Sequence, residues 1–248
     1  MYNPFSLIGK TILVTGASSG IGRAIAIECS KLGADIILTG RNEGRLIETI
    51  SQLEKGQHKY IIADIAIEED IIKLVEQLPT LTGCVHSAGI LGLTPIQAIN
   101  LTKINEFEQI NLNAPILLTK QLLKRKKLSK NSSVVFISSA AGVYRVSTAN
   151  ALYAVTKSGL DAFMRSAALE LANKNIRFNS VNPAMIETES LNNIPISEEQ
   201  KNANLALYPL KRYGKPEEVA YATIYLLSDA SAWTTGTEIK LDGGLTLS

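Results

Sequence analysis

Cysteine is scarce in this chain: Cys29 and Cys84 are the two among 248 residues, and no Cys-x-x-Cys spacing is present. A disulfide framework is therefore not expected, no metal site is expected, and free thiols buried in apolar segments suit a reducing compartment. An excess of one charge is also missing. Lys and Arg number 25 against 23 Asp and Glu, a net charge of +2, which lacks the strongly basic domain or stripe of a nucleic-acid binder. The one basic run, Lys124 to Lys127 with Lys130 beyond it, reads as the solvated end of a helix, where cations complement the dipole. No apolar run approaches the length of a membrane span. The opening MYNPFSLIGK has no basic region followed by a sufficient apolar one, as a secretory signal would. The expectation is a soluble, cytoplasmic protein with neither a nucleic-acid nor a membrane partner. Linkers, repeats and low-complexity tracts are absent too, so residues 1–248 read as one domain.

What is present is an alternation of short apolar runs with amphipathic segments. Lys10–Thr15, Asp35–Thr39, Tyr60–Ala63, Thr82–Ser87, Ser133–Ser138, Ile176–Val181 and Thr237–Leu241 read as strands. Between them, Ile21–Leu32, Glu43–Leu53, Glu69–Gln77, Ile104–Lys127, Tyr153–Asn173 and Glu217–Leu227 show helical spacing. Strands apolar on both faces, each followed by a helix, imply a parallel sheet covered on both sides. The fold class is α/β: a single doubly wound (Rossmann) domain with a sheet of about seven parallel strands and helices on both faces. The longest irregular stretch, about residues 185–213, is a candidate substrate lid.

Between the first strand and first helix stands Thr15-Gly16-Ala17-Ser18-Ser19-Gly20-Ile21-Gly22. Glycines there permit a tight turn that brings backbone N–H groups and a helix N-terminus to a pyrophosphate. A phosphate-binding loop of the nucleotide triphosphatase kind is excluded, because no Gly-Lys-Ser/Thr follows. Thr-Gly-x3-Gly-x-Gly resembles the cofactor signature of the short-chain dehydrogenases/reductases, and the resemblance runs on along the chain. His86-Ser87-Ala88-Gly89, Asn111, Ser139, Tyr153-x3-Lys157, Pro183-Ala184-Met185-Ile186-Glu187-Thr188, Gly214 to Ala220, and Asp242-Gly243-Gly244 all stand at family positions. The chain is most similar to the 3-oxoacyl-acyl-carrier-protein reductases of the single-domain branch.

That resemblance implies a cofactor site of Gly16, Ser18, Ser19, Gly20, Ile21, Gly22, Arg41, Asp64 beside the adenine, Ala88, Gly89, Tyr153, Lys157, Pro183, Ile186 and Thr188. It implies a catalytic set of Asn111, Ser139, Tyr153 and Lys157, in which Ser139 holds the substrate oxygen, Lys157 also binds the nicotinamide ribose and Asn111 supports a water of the proton relay. It further implies a homotetramer. Two departures stand out: His86-Ser87 replaces two amides, and Ala184 replaces a glycine beside the nicotinamide. His86 reads as a satisfied core histidine.

At the end of the second strand an acidic residue would select NAD and a nearby Arg the 2′-phosphate of NADP. Here Leu38-Thr39-Gly40-Arg41-Asn42 places no carboxylate before Glu43, so NADP(H) is the expected cofactor, with Arg41 as the phosphate fork. Tyr153 and Lys157 share a helix face. Bringing a phenol of pKa near 10 toward neutrality takes a lowering of about 2–3 pH units, roughly 3–4 kcal/mol. A unit charge about 4 Å away at an effective dielectric of about 20 supplies about 4 kcal/mol, so Lys157 is of the right size.

The reaction expected is hydride transfer between NADP(H) and a small-molecule carbonyl or secondary alcohol, with Tyr153 as acid/base. A 3-oxoacyl thioester carried on acyl carrier protein, a sugar, a polyol and a small ketone all stay open as substrates. Ile90, Leu91, Leu93, Leu191, Ile194 and Leu205 flank the site and suggest a modestly apolar pocket. A catalytically silent NADP-binding protein, an extended-branch nucleotide-sugar epimerase or dehydratase, and a nucleic-acid or membrane-surface protein built on the Lys124 run are the competing readings.

Overall fold

The computed structural model describes residues 2–189 and 197–247. Seven strands form one parallel sheet in the order β3-β2-β1-β4-β5-β6-β7: β1 Thr11–Thr15, β2 Asp35–Gly40, β3 Lys59–Ile62, β4 Leu81–His86, β5 Leu128–Ile137, β6 Arg177–Pro183 and β7 Glu238–Leu241. The order reverses between β1 and β4. Such a switch point opens a crevice beyond the carboxyl ends of the strands, where ligands of open α/β sheets bind.

Side chains alternate across a strand, and the core divides accordingly into two apolar layers. Ile12 and Val14 of β1 join Ile36, Val85, Val135 and Val181 on one face. There α1 (Gly20–Lys31) and the helix Pro216–Leu227 cover them. Leu13 joins Cys84, Val134, Phe136 and Phe178 on the other face, under α3 (Glu68–Gln77), α5 (Ala114–Lys124) and α6 (Ala151–Leu171). Both thiols lie in these layers and are unpaired by disulfide; burial pushes each far above the usual thiol range. Among the described residues no helix is long and apolar enough to cross a membrane.

Helix starts follow local chemistry. Asn42 caps α2 (Glu43–Ile50) by accepting from the Arg45 N–H at 3.0 Å, and Asn100 caps α4 (Leu101–Glu108) by accepting from Lys103 at the same distance. Such caps contribute about 1 kcal/mol each.

Two expectations need correction. The helix anticipated over Ile104–Lys127 is not continuous: α4 and α5 are joined by a wide π turn, Gln109–Asn113. Pro115 has no N–H to offer the carbonyl of Asn111 four residues earlier, so the regular ladder cannot run through. The stretch 185–213 is not irregular throughout either. It holds α7, Glu198–Ala206, started by a capping box in which Ser197 and Gln200 each accept from the other's backbone, and α8 is the helix Pro216–Leu227 that follows. Of the pocket residues anticipated here, Leu191 and Ile194 lie outside the described residues.

Candidate active site

A cleft of about 740 Å³ opens along the carboxyl ends of β1, β2, β4, β5 and β6. Its floor is the glycine-rich turn. Gly16 has φ +66°, and a methyl there would sit 2.8 Å from the Ala88 Cα; a methyl on Gly22 would sit 2.4 Å from the Gly16 carbonyl oxygen. The Thr15 hydroxyl accepts from the N–H groups of Ser87 and Ala88 at 3.1 and 3.2 Å, stitching the ends of β1 and β4 together. Unlike α2, α4 and α7, α1 starts without a side-chain cap, and its first turn holds no acidic residue. Its leading N–H groups are therefore left for an anion, and this donor set fits the pyrophosphate of a dinucleotide.

Every residue of the implied cofactor set lines this cleft, as do Ser139, Tyr153 and Lys157. Arg41 reaches over its outer end, 69% exposed along its side chain and 3.8 Å from the Asp64 carboxylate. Glu43, the first acid after β2, instead accepts from the Tyr60 hydroxyl at 3.0 Å. Ile90 and Leu91 line the cleft. Leu93 faces solvent, and Leu205 packs against the Tyr208, Tyr213 and Leu245 cluster.

At the inner end, β5 delivers Ser138 and Ser139 while α6 delivers Tyr153 and Lys157 from one face. Ser139 stands near enough to the Tyr153 hydroxyl to oppose the effect of burial on it, and Ser139 Oγ accepts from the Ala141 N–H at 3.0 Å. Lys157 is 5% exposed. Its ammonium donates to the Ile137 carbonyl at 2.8 Å and lies 5.7 Å from the centre of the Tyr153 ring. Burial lowers its pKa to about 8, with the charge of Asp161 opposing.

The arithmetic that assigned Lys157 the lowering of Tyr153 does not hold in the free chain. Burial pushes the tyrosine above the ordinary phenol value, because desolvation disfavours the phenolate, and Ser139 offsets this only in part.

Asn111 does not reach the cleft wall. It is buried behind it in the π turn, exchanging hydrogen bonds with the backbone of Ile90: the Ile90 N–H donates to its Oδ1 at 2.8 Å and its Nδ2 donates to the Ile90 carbonyl at 3.0 Å. His86 is likewise behind the site, 3.1 Å from the Thr119 hydroxyl and stacked on Phe136 at 4.7 Å. Burial pushes its pKa down to about 3, so it stays neutral at physiological pH.

Three residues at the site escaped the sequence reading. Thr15 was quoted only as part of the turn. Asp161, one turn beyond Lys157, is fully buried, accepting from the Ser138 hydroxyl at 2.9 Å and Asn182 Nδ2 at 2.8 Å. Arg145 lines the cleft at its inner end. Only Asp161 had a readable signal, the i, i+4, i+8 spacing from Tyr153 through Lys157.

Comparison with known proteins follows the same outline. A family model described as enoyl-(acyl carrier protein) reductase matches residues 16–246. The L-xylulose reductase of Caenorhabditis elegans is 33% identical over 245 residues, covering 97% of this chain and 97% of that protein. The 3-oxoacyl-[acyl-carrier-protein] reductase of Rickettsia felis is 33% identical over 239 residues, covering 96% and 98%. A solved short-chain type dehydrogenase/reductase from Mycobacterium ulcerans superposes with a TM-score of 0.89 at 32% identity, over 98% of this chain and 91% of that one.

Proposed function

The chain belongs to the short-chain dehydrogenase/reductase family, and we propose that within it the protein is an NADP(H)-dependent reductase of a carbonyl substrate, with Tyr153 as the acid/base. The observation that carries this reading is the convergence of Ser139, Tyr153 and the buried Lys157 on one cleft floored by the glycine turn, with the Lys157 ammonium 5.7 Å from the Tyr153 ring. A bound nicotinamide would supply the hydride and, when oxidised, a positive ring.

The chain's own groups do the rest. Ser139 holds the carbonyl oxygen and stabilises the charge that develops on it. Tyr153, whose raised pKa keeps it protonated at neutral pH, donates the proton to that oxygen. Lys157 stabilises the resulting phenolate. Asn111, by clamping the Ile90 backbone, positions the wall beside Gly89: a methyl on that glycine would lie 3.1 Å from Asn111 Oδ1 and 3.5 Å from the Lys157 ammonium.

Arg41, with Glu43 occupied by Tyr60, supports NADP over NAD. The described parts of the anticipated lid line the cleft through Met185, Ile186, Thr188, Asn204 and Leu207, which supports a role in covering the substrate. Leu169 on α6 is 84% exposed and Trp233 is 99% exposed; such apolar surface supports a homotetramer, and the free buried thiols support a cytoplasmic setting.

The two curated relatives described above are named for a sugar and for an acyl thioester, and both classes are carried as substrates, the second with acyl carrier protein as partner. The test follows NADPH oxidation with a short 3-oxoacyl thioester and with L-xylulose, using Tyr153→Phe as the blank. Turnover lost in the variant supports the mechanism and identifies the class. NADPH binding without turnover of any carbonyl would leave a silent binding protein instead.

A further inference from the structure

Resting on the reading of the inner cleft as the carbonyl site, we propose that Arg145 selects substrates that carry an anionic group, carboxylate or phosphate, close to the reacting carbonyl. The backbone of Arg145 folds back onto the residue after Ser139: its N–H donates to the Ala140 carbonyl at 3.0 Å, and the Gly142 N–H donates to its own carbonyl at 2.7 Å. From there the side chain crosses to the C-terminal segment, where Nη1 donates to the Leu245 carbonyl at 2.9 Å. Arg145, Leu245 and Tyr208 all line the cleft. Burial pushes the Tyr208 hydroxyl up, and its contact with the Met185 N–H and the charge of Arg145 both oppose that. The guanidinium is therefore part of the same wall as Tyr208.

This cation lacks the partner that others in the chain have. Arg23, Arg41, Arg125, Arg165 and Arg212 each pair with a carboxylate. Arg177 donates instead to the carbonyls of Thr234, Leu226 and Ser228. Among the described residues no carboxylate pairs with half-buried Arg145. The one described carboxylate lining the cleft, Asp64, lies at the far end against Arg41.

A guanidinium presents five N–H donors in a rigid fork matched to carboxylate and phosphate. One interaction with a neutral carbonyl does not use up that fork, and a permanent charge is not needed to hold a carbonyl. A half-buried, uncompensated cation is costly until an anion meets it, and a cleft of one sign focuses its field on such a ligand. The neighbouring Ser147, Thr148 and Asn150 add polar groups to the lining, suited to hydroxyls between the anion and the carbonyl.

The test compares 4-oxopentanoate with methyl 4-oxopentanoate, a pair differing in charge and by one methyl group. Calorimetry measures binding of each to the NADP+ complex, which has no hydride to give a ketone, and NADPH oxidation gives kcat/KM. The acid should be favoured by about 10- to 100-fold in the wild type, and Arg145→Gln should bring the ratio to within about 3-fold of unity. Arg145→Lys should keep part of the preference. NADPH affinity and the melting temperature of both variants report whether the fold survives; Arg145→Lys carries the test if the Gln variant does not fold. Equal binding of acid and ester by the wild type, or an undiminished preference in Arg145→Gln, overturns the proposal. Binding is read without turnover, so loss of the charge preference is distinct from failure of the reductase reading, which instead shows as normal turnover in Tyr153→Phe.

Discussion

Asp161 lies one helical turn beyond Lys157 on α6, yet the two do not pair. The Lys157 ammonium donates to the Ile137 carbonyl, while the Asp161 carboxyl accepts from Ser138 and Asn182. Its charge nevertheless supports that of Lys157. Asp161 is thus placed to act as a positioning residue through the lysine, and through Ser138 on the neighbouring Ser139.

Replacing Asp161 with Asn removes the opposing charge while keeping the shape. Lys157, already lowered to about 8 by burial, would then lose its proton at still lower pH. The alkaline limb of the kcat/KM profile should move to lower pH in Asp161→Asn, with NADPH affinity little changed. An unmoved limb would mean that Asp161 serves only to hold the ends of β5 and β6.

Tyr153→Phe keeps the ring and removes the proton carrier. NADPH should still bind, measured by its fluorescence, while turnover falls by about 10²–10⁴-fold, the usual contribution of a positioned acid. Near-normal turnover would rule Tyr153 out as the acid.

Arg41→Ala should weaken NADPH by about 10- to 100-fold, the scale of charge-assisted hydrogen bonds, and leave NADH almost unaffected. The ratio of the two dissociation constants decides it. An unchanged ratio would assign 2′-phosphate recognition to other residues.

The glycine turn can be probed against a built-in control. Gly16→Ala combines a left-handed backbone with a methyl 2.8 Å from the Ala88 Cα, and should cost about 2–4 kcal/mol, a Tm fall of roughly 4–16 °C. Gly9 has φ +76° with nothing within 4 Å of the added methyl, so Gly9→Ala isolates the backbone cost of about 1–2 kcal/mol. Equal falls in thermal melts would show that the approach to Ala88 is relaxed by movement.

The central strands β1, β2, β4 and β6 and the second half of β5 were legible as apolar runs buried on two faces, whereas the edge strands β3 and β7 are only partly buried and were read from their place in the alternation. α7 was not, since Glu198–Ala206 buries no residue completely and so has no apolar stripe, although Ser197-x-x-Gln200 marked its start. The break at Gln109–Asn113 was hidden by helical spacing that runs through it, with Pro115 as the overlooked sign. In the site, what is local in sequence could be read: the glycine turn and Tyr153-x3-Lys157. The grouping of Asp161 with Ser138 and Asn182 depends on three elements meeting, and the direction of Arg145 on a turn closed by hydrogen bonds. The balance on Tyr153 is not legible in sequence for the same reason, because desolvation is a property of the assembled cleft.

The two buried thiols have a practical consequence. With Cys29 and Cys84 sealed in opposite apolar layers and their pKa values far above the thiol range, almost no thiolate exists at neutral pH to attack an alkylating reagent. A maleimide dye would therefore leave the native chain unlabelled and attach at a single introduced position such as Lys55→Cys, exposed before β3. Fluorescence labelling of this protein needs no prior removal of its own cysteines.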